Sequence, residues 1–357
     1  MKKNILLFSL ICSLQINAQS NRTFFLGHSL INLNIPQMVS EMAKESNIPF
    51  YMQRNIGIGA NLGWHWTNPY TGQGDVWDTT LRRQTFDHFI ITEAVPLKGH
   101  LQWSMTYEFL DSFYLLAKKR NPNIQMLFYE TWHCINSGTP TGCMYDNDSH
   151  IPWRTRLDSD LVLWEGILDQ HNRKYPNHHA YMVPGGQGLA RLHDEIAAGR
   201  LPGIKSHREL FSDDIHLTNI GNYFIACVMY GVIFKKSPVG LPAQLKDMYN
   251  VNYSPAPTNS QAAVLQKVAW EVVCNYNRTN VKCNTTNTDI ILNPANYKWD
   301  GFTLNLETKA TNIQVIDIMG SILIQANHSD KIDLSRLSPA LYFIKVDNRL
   351  IKIIKSN

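Results

Sequence analysis

Apolar and polar positions follow two different periods along the first three quarters of the chain. Short apolar runs predict buried strands at residues 23–26, 50–55, 86–92, 124–129 and 179–183. Between and after them, apolar side chains at helical spacing predict helices at residues 35–44, 105–119, 157–175, 188–198 and 217–234. Strands that alternate with helices are typical of a parallel sheet covered on both faces, so we expect a three-layer α/β/α domain.

The pattern changes after a last predicted helix at residues 261–275. Residues 276–288 are rich in Asn and Thr and poor in apolar residues, which is typical of a linker. From residue 289 to residue 357, short strand-like runs follow one another with turn residues between them. This texture predicts a small C-terminal β-sandwich.

The first eighteen residues have the pattern of a secretory signal peptide. Lys2 and Lys3 provide a positive start, an apolar run follows, and Ala18 is a small residue suited to cleavage. Cys12 follows the bulky Ile11, so we interpret it as part of the apolar run and not as a lipid-attachment site. No other stretch is apolar enough to cross a bilayer, and we expect an exported protein without a transmembrane segment.

Composition adds little about partners. The formal charge is +4, and Lys2 and Lys3 carry two of those charges, so the predicted mature chain is close to neutral. Charge therefore argues neither for nor against binding to nucleic acid. We expect no nucleic-acid partner. The chain has nine Trp and fifteen Tyr. In an exported protein such side chains often stack on sugar rings, although core packing explains any single one as well.

Five cysteines remain after the predicted cleavage, in a compartment that permits disulfides. Cys134 with Cys143, and Cys274 with Cys283, are close in sequence and lie in polar segments, which predicts two local disulfides. Each would contribute about 2–3 kcal/mol in the chain-entropy account. Cys227 lies in an apolar run and is predicted to be a buried free thiol. No spacing typical of a zinc site occurs, and we predict no metal ligands.

A serine and a distant Asp-x-x-His are the candidates for catalytic chemistry. Ser29 follows the first predicted strand in a Gly-His-Ser sequence, where a turn would expose and aim its hydroxyl. Asp213 lies three residues before His216, so it can orient the imidazole while the other ring nitrogen accepts the serine proton. The structural alternatives are a turn serine and an aspartate that caps the next helix. Asp214 is the alternate orienting residue.

This arrangement resembles the SGNH (GDSL-like) hydrolases, over roughly residues 23–232. In that family the serine follows the first strand, and the aspartate and histidine come from one short segment near the end of the domain. The resemblance implies a hydrolase domain at residues 19–275, a catalytic triad of Ser29, His216 and Asp213, and no cofactor. The histidine at position 28 stands where the family more often has aspartate, at a position outside the catalytic groups.

The family's oxyanion-hole residues match this chain in part. Gly59, after the second predicted strand, corresponds to the oxyanion-hole glycine, and the amide of Ser29 would be a second donor. The family's Gly-x-Asn-Asp block is missing after the third strand. Thr92-Glu93 stands there and resembles the Gln-Glu pair of divergent members, which implies that Thr92 donates and Glu93 organises a loop. The alternative third donors are Asn61, Trp132 and His133.

Candidate substrate-binding residues follow the predicted strands, because sites in parallel sheets lie at the carboxyl ends of strands. They are Trp64, His65, Glu93, Trp132 and His133. Each aromatic or histidine also has a plainer explanation, since the histidines can hydrogen-bond to loops and the tryptophans can pack in the core.

The C-terminal segment, over roughly residues 287–357, resembles the sorting domain of the Bacteroidota type IX secretion system. The phrases that carry the resemblance lie at residues 292–295 (Leu-Asn-Pro-Ala), 316–320, 332–337 and 341–346. The resemblance implies recognition by the type IX machinery, passage through the outer membrane, and release or attachment at the surface. An ancillary carbohydrate-binding sandwich is the alternative, with Tyr297, Trp299 and Phe302 as its aromatic candidates.

The sequence thus predicts a secreted serine esterase that forms an acyl-enzyme. We expect it to remove acetyl or similar small acyl groups from polysaccharides, an expectation that rests on family analogy and compartment. The alternatives are an esterase for lipid or aryl esters and a non-catalytic glycan-binding protein on a hydrolase fold.

Overall fold

The computed structural model describes residues 21–283, 290–291, 297–317, 321–347 and 349–355. Several predicted features lie outside these residues: the signal peptide at residues 1–18, the linker from residue 284 onward, the Leu-Asn-Pro-Ala phrase at residues 292–295, and residues 318–320. The chain divides into two compact units, one that ends at Lys282 and one that begins at Cys283. The exact domain boundaries inferred from composition stay predictions.

The first unit is built on a six-stranded sheet in the order β3-β2-β1-β4-β5-β6. Its strands are β1 (Asn21–Gly27), β2 (Phe50–Ile56), β3 (Gln73–Gly74), β4 (His88–Ile91), β5 (Gln125–Glu130) and β6 (Tyr181–Pro184). All neighbours pair in parallel except the short edge strand β3, which is antiparallel to β2. β1 lies inside the sheet, between β2 and β4, and its residues Phe24, Phe25 and Leu26 are fully buried. A strand covered on both faces reads as a continuous apolar run, which explains the sequence pattern.

Helices cover both faces of this sheet. They are α1 (Asn34–Glu45), α2 (Leu62–Thr67), α3 (Trp77–Arg83), α4 (Leu97–Trp103), α5 (Thr106–Lys118), α6 (Trp153–Lys174), α7 (Gly185–Ala197), α8 (Asn219–Phe234) and α9 (Asn259–Asn275). Phe24 and Leu26 share one core with Phe113 of α5 and Trp164 of α6. Side chains alternate along a strand, so Phe25 faces the other side, where α1, α8 and α9 pack together. The predicted three-layer fold is confirmed.

Among the described residues of the first unit, three α-helices and one strand are not predicted by the sequence pattern. α2, α3 and α4 are six or seven residues long, and β3 has two residues. Elements of this length contain too few turns to show a period in the sequence. Together with β4 they lie between β2 and α5 in the sequence, and α2 begins just after the turn that follows β2.

The cysteines follow the predicted pattern. Cys134 and Cys143 form a disulfide with a Cα–Cα distance of 6.0 Å. Cys274 and Cys283 are also disulfide-bonded. Cys227 is a free thiol buried in α8, and burial raises the pKa of its thiol well above the ordinary value. Reactive cysteine chemistry is therefore not indicated at this position.

The second unit is a β module, as predicted. Its strands are β7 (Ile290–Ile291), β8 (Tyr297–Trp299), β9 (Thr303–Ile316), β10 (Ile322–Asp333), β11 (Ala340–Val346) and β12 (Arg349–Lys355). Hydrogen bonds run through the order β10-β9-β11-β12-β7, with β8 paired to β9, and all pairs except β12 with β7 are antiparallel. Leu304, Ile313, Val315, Ile344 and Ile351 belong to a core of its own. No helix in the described part of the chain is long and apolar enough to cross a membrane.

Gly27 ends β1 in a space too small for a side chain. A Cβ at this position would lie 2.6 Å from Thr92 Cγ2 and 2.7 Å from Ile31 Cδ1. We expect Gly27→Ala to lower the free energy of unfolding by about 1–3 kcal/mol, because overpacking forces neighbours to move. Urea unfolding measures this change. Gly166→Ala is the control: its Cβ meets nothing within 4 Å inside α6, so we expect a gain of about 0.5–1 kcal/mol. Equal effects of the two variants would contradict the packing described.

Candidate active site

Ser29, His216 and Asp213 form a continuous hydrogen-bonded row. His216 Nε2 lies 2.8 Å from Ser29 Oγ, and His216 Nδ1 lies 2.7 Å from Asp213 Oδ2. When Nδ1 carries the ring hydrogen and donates it to the carboxylate, Nε2 accepts the hydrogen bond of the serine hydroxyl. The structure thus brings Ser29 into contact with His216, although the two residues are separated by 187 positions in the sequence. This arrangement is able to activate a serine oxygen as a nucleophile.

The turn that carries Ser29 is held by its buried neighbour His28. The His28 ring is 3 % exposed; its Nε2 donates to the carbonyl of Glu93 at 3.0 Å, and its Nδ1 accepts from the Leu30 amide at 3.3 Å. Burial lowers the pKa of His28 to about 4, so the ring is neutral at pH 7. A neutral ring with one donor and one acceptor connects the turn after β1 to the end of β4.

Asp213 organises the loop that carries His216. Its Oδ1 accepts from the amides of Ile215 and His216 at 2.8 and 2.7 Å. Although partial burial opposes the shift, these amides and the His216 ring lower the pKa of Asp213 below its ordinary value. The carboxylate therefore stays ionised at neutral pH. The Arg208 guanidinium donates a hydrogen bond to the Asp213 backbone carbonyl at the protein surface, which adds a second contact to the same loop.

The alternatives for Asp213 and Asp214 are resolved by their contacts. The residue that caps α8 is Thr218, whose side chain accepts from the Gly221 amide, so capping does not occupy Asp213. The backbone carbonyl of Asp214 accepts from the Ile135 amide at 2.7 Å, and the side chain that meets the His216 ring is that of Asp213. Of the two carboxylates, Asp213 is therefore the one in position to orient the His216 ring.

Two backbone amides in the turns after β1 and β2 lack a protein acceptor. The turn after β2 is joined to the turn after β1 by the hydrogen bond from the Gly57 amide to the Gly27 carbonyl, at 2.9 Å. Within the described residues, the amides of Ser29 and Gly59 donate to no protein group. Gly59 has a φ of +63°, a conformation that glycine adopts without strain, and the space around it is open. Free amides on adjacent turns are the kind of donors that bind an oxyanion.

The prediction for Thr92 as third donor is corrected by the structure. Thr92 is buried, and its hydroxyl donates to the Tyr129 carbonyl at 2.7 Å. A hydroxyl has one hydrogen, so none remains for a substrate. The indole N–H of Trp132 is used as well, because it donates to the Ile215 carbonyl at 2.8 Å. His133 is buried beside Asp160, with 3.8 Å between Nδ1 and the carboxylate.

Asn61 is the remaining alternative among the side chains considered. It caps α2, where its Oδ1 accepts from the Trp64 amide at 2.7 Å. Its Nδ2 donates to Ser104 Oγ at 3.2 Å. An amide nitrogen carries two hydrogens, so Asn61 keeps one N–H for another acceptor. It lies two residues after Gly59 and is partly exposed.

Glu93 has a structural role at this site. The side chain is 2 % exposed and accepts three hydrogen bonds, from the Leu62 amide at 3.2 Å, the Ala94 amide at 2.7 Å and the Thr106 hydroxyl at 2.8 Å. Burial raises the pKa of its carboxyl, and these three donors oppose the shift. Glu93 thereby ties the start of α2, next to Asn61, to the end of β4 and the start of α5.

The prediction of direct substrate contact is corrected for four residues. His65, Glu93, Trp132 and His133 are between 0 and 3 % exposed. His65 Nε2 donates to the Gly27 carbonyl at 3.0 Å, and burial lowers the pKa of its ring to about 4. Side chains that are buried to this extent contact the backbone of the site loops from inside the protein and are not available to a substrate. Trp64, at 36 % exposure, is the member of the predicted set that reaches the surface.

The C-terminal segment matches a known protein family. Residues 293–356 match the Secretion system C-terminal sorting domain. The chain therefore carries a sorting domain, which indicates export. A search of curated proteins finds no match to this sequence.

Solved structures are similar to the first unit. A DUF4886 family protein from Bacteroides uniformis is 15 % identical with a TM-score of 0.55, and the alignment covers 72 % of this chain and 95 % of that chain. At this identity the likeness shows a shared fold. A putative GDSL-like lipase from Parabacteroides merdae is 11 % identical with a TM-score of 0.41, over 60 % of this chain and 95 % of that chain. A Clostridium thermocellum family 3 carbohydrate esterase is 11 % identical with a TM-score of 0.37, over 59 % and 94 %.

The neutral His28 ring predicts a pH dependence of stability. Its pKa is about 4 in the folded protein and 6.5 without burial, so unfolding between these values takes up a proton. Stability from this group is complete above pH 6.5 and is lost as the pH falls towards 4, by up to about 1.4 kcal/mol per pH unit. We expect His28→Gln, which keeps a donor for the Glu93 carbonyl, to reduce the slope of unfolding free energy against pH by about this amount. Urea unfolding at pH 4.5 to 7 measures it, and an unchanged slope would contradict the buried neutral ring.

Proposed function

We propose that this protein is a secreted serine esterase that acts through Ser29, His216 and Asp213. The observation that carries the proposal is the 2.8 Å contact between Ser29 Oγ and His216 Nε2, with Asp213 on the far side of the same ring. A turn serine without a catalytic role has no need of an imidazole whose second nitrogen is held by an ionised carboxylate. The sorting domain supports action outside the cell.

The first half of the proposed reaction forms an acyl-enzyme. Ser29 Oγ attacks the ester carbonyl carbon as its proton passes to His216 Nε2. The carbonyl oxygen becomes an oxyanion, which accepts hydrogen bonds from the Ser29 and Gly59 amides. When the tetrahedral intermediate collapses, the alcohol leaves and takes the proton from His216 Nε2. Asp213 stabilises the imidazolium that exists between these two transfers.

The second half releases the acyl group. A water molecule gives a proton to His216 Nε2 and attacks the acyl carbon, so a second oxyanion forms between the same two amides. Collapse of this intermediate breaks the bond to Ser29 Oγ, which recovers its proton from His216. The products are a carboxylic acid and the free enzyme. Every step uses groups of the chain itself, and no metal or cofactor takes part in the proposal.

The proposed substrates are small acyl esters, acetyl above all, on polysaccharides outside the cell. Export through a secretion system and the partly exposed Trp64 near the oxyanion turn support this class. We further propose that the sorting domain delivers the enzyme through the type IX machinery across the outer membrane, to the medium or the cell surface. Lipid and aryl esters are the competing substrates in the tests below.

Removal of any member of the row should abolish ester hydrolysis. We expect Ser29→Ala and His216→Ala to lower kcat/KM for 4-nitrophenyl acetate by about 10⁴-fold or more, and Asp213→Asn by about 10⁴-fold, because the members act as one unit. Acetate release from a panel of acetylated polysaccharides should fall in parallel. Ser112→Ala, on an exposed face of α5, is the matched control and should keep full activity. The proposal would be contradicted if the wild-type protein hydrolysed none of the esters tested, or if the Ser29→Ala variant were active.

Asn61 is proposed as the third oxyanion donor. Asn61→Ser keeps a residue that caps α2 well but removes the amide N–H groups. We expect kcat to fall by about 10²–10³-fold with little change in KM, since the donor acts on the transition state. The melting temperature should stay close to that of the wild type. A kcat within a factor of about two of the wild type would contradict this role.

A further inference from the structure

A second surface feature lies beside the candidate active site. A cleft of about 440 Å³ separates residues 95–104, which include α4, from residues 145–148. Two large aromatic side chains border it: Trp103 is 78 % exposed and Tyr145 is 91 % exposed. Single exposed apolar residues are common, but two large aromatic rings at one concave surface are a candidate binding feature.

Both walls of the cleft are attached to the loops of the candidate site. On one side, Asn61 Nδ2 donates to Ser104 Oγ at 3.2 Å, and Ser104 Oγ lies 2.9 Å from His100 Nδ1. On the other side, the disulfide between Cys134 and Cys143 joins the segment just before Tyr145 to the neighbour of Ile135, whose amide donates to the Asp214 carbonyl at 2.7 Å. The cleft is therefore linked on both sides to loops of the candidate site.

The wall that presents Tyr145 is held by a disulfide and by buried ion pairs. The disulfide between Cys134 and Cys143 closes the segment that leads to it. Behind it, the buried Arg156 donates to Asp146 and, at 3.1 Å, to Asp160. Tyr145 itself has a φ of +60°, which is rare for a residue with a bulky side chain. Strained backbone that holds an exposed aromatic ring in place is a feature of ligand sites.

The charged side chains of the cleft are paired with one another. Lys98 of one wall forms an ion pair with Asp148 of the other, with 3.0 Å between Nζ and Oδ2, and Arg156 forms an ion pair with Asp146. Two positive and two negative side chains leave the cleft without net charge, so it offers no attraction to a polyanion. Ion pairs and amides also disfavour an acyl chain, because their hydration would be lost without replacement. A ligand with apolar ring faces and hydroxyl edges matches both the rings and the polar groups.

We propose that this cleft binds an uncharged polysaccharide, with Trp103 and Tyr145 stacked against its sugar rings. The inference rests on the proposed esterase function and names the substrate class for that site. The polymer would be held in the cleft while one of its ester groups reaches Ser29. Trp103 and Tyr145 are thus specificity-determining residues and take no part in the chemical steps.

The test separates polymer binding from ester chemistry. Trp103→Ala and Tyr145→Ala are assayed on acetylated xylan and on 4-nitrophenyl acetate. We expect each variant to raise KM for the polymer by about tenfold, in line with the loss of one aromatic contact, and to leave kcat/KM for the small ester within a factor of about two. The control is Tyr249→Ala, which removes a ring of similar exposure outside the cleft and should change neither substrate.

The possible failures are distinguishable. If the wild type hydrolyses neither substrate, the proposed function fails. If it hydrolyses both and the two variants keep the wild-type KM for acetylated xylan, the function stands and the cleft inference is overturned. The inference is also overturned if the variants lose activity on 4-nitrophenyl octanoate instead, or if wild type prefers acetylated pectin, a polyanion. Unchanged melting temperatures establish that the variants are folded.

Discussion

The contact between Ser29 Oγ and His216 Nε2 depends on the position of β1 inside the sheet. β1 is paired along both edges, so the turn after it lies between the turn after β2 and the end of β4. The Gly57 amide connects the first pair of turns and the His28 ring connects the second. On the histidine side, the loop before α8 is closed by the bond from the Ser212 amide to the His216 carbonyl, at 2.8 Å. α8 follows directly and is buried on nearly every side, which fixes the loop to the core.

A layer of buried polar groups supports the surface row. His28, His65, Glu93 and Trp132 all direct a polar atom to a backbone group of the site loops. Burying a polar group is unfavourable unless it is hydrogen-bonded. The side chains of His28, Glu93 and Trp132 meet that requirement, whereas His65 is bonded through Nε2 and its Nδ1 has no partner among the described residues. The result is a set of loops whose geometry is fixed before any ligand arrives, which is the condition for oxyanion stabilisation by backbone amides.

Much of this fold follows from sequence pattern, and the reasons for the exceptions are physical. Strands such as β1 and helices such as α8 are apolar enough, and long enough, to be predicted from the sequence pattern alone. α2 to α4 are too short to show a period. The sequence predicts Ser29, Asp213 and His216 as candidates because serine activation requires those residue types, and Asp213 and His216 are also close in sequence; the structure brings the three side chains into contact. Thr92 and Trp132 were misjudged because the direction of a donor depends on carbonyls of distant residues, Tyr129 and Ile215. The cleft of Trp103 and Tyr145 joins two segments that no local pattern connects.

The central claim, that His216 activates the Ser29 hydroxyl, is tested most directly by diisopropyl fluorophosphate. An activated serine oxygen displaces fluoride and forms a stable phosphoester, whereas an ordinary serine does not react. Mass spectrometry of the digested protein should find the adduct on the peptide that contains Ser29 in the wild type, and no adduct in His216→Ala. Labelling of a different serine, or labelling of Ser29 that survives the loss of His216, would contradict the account.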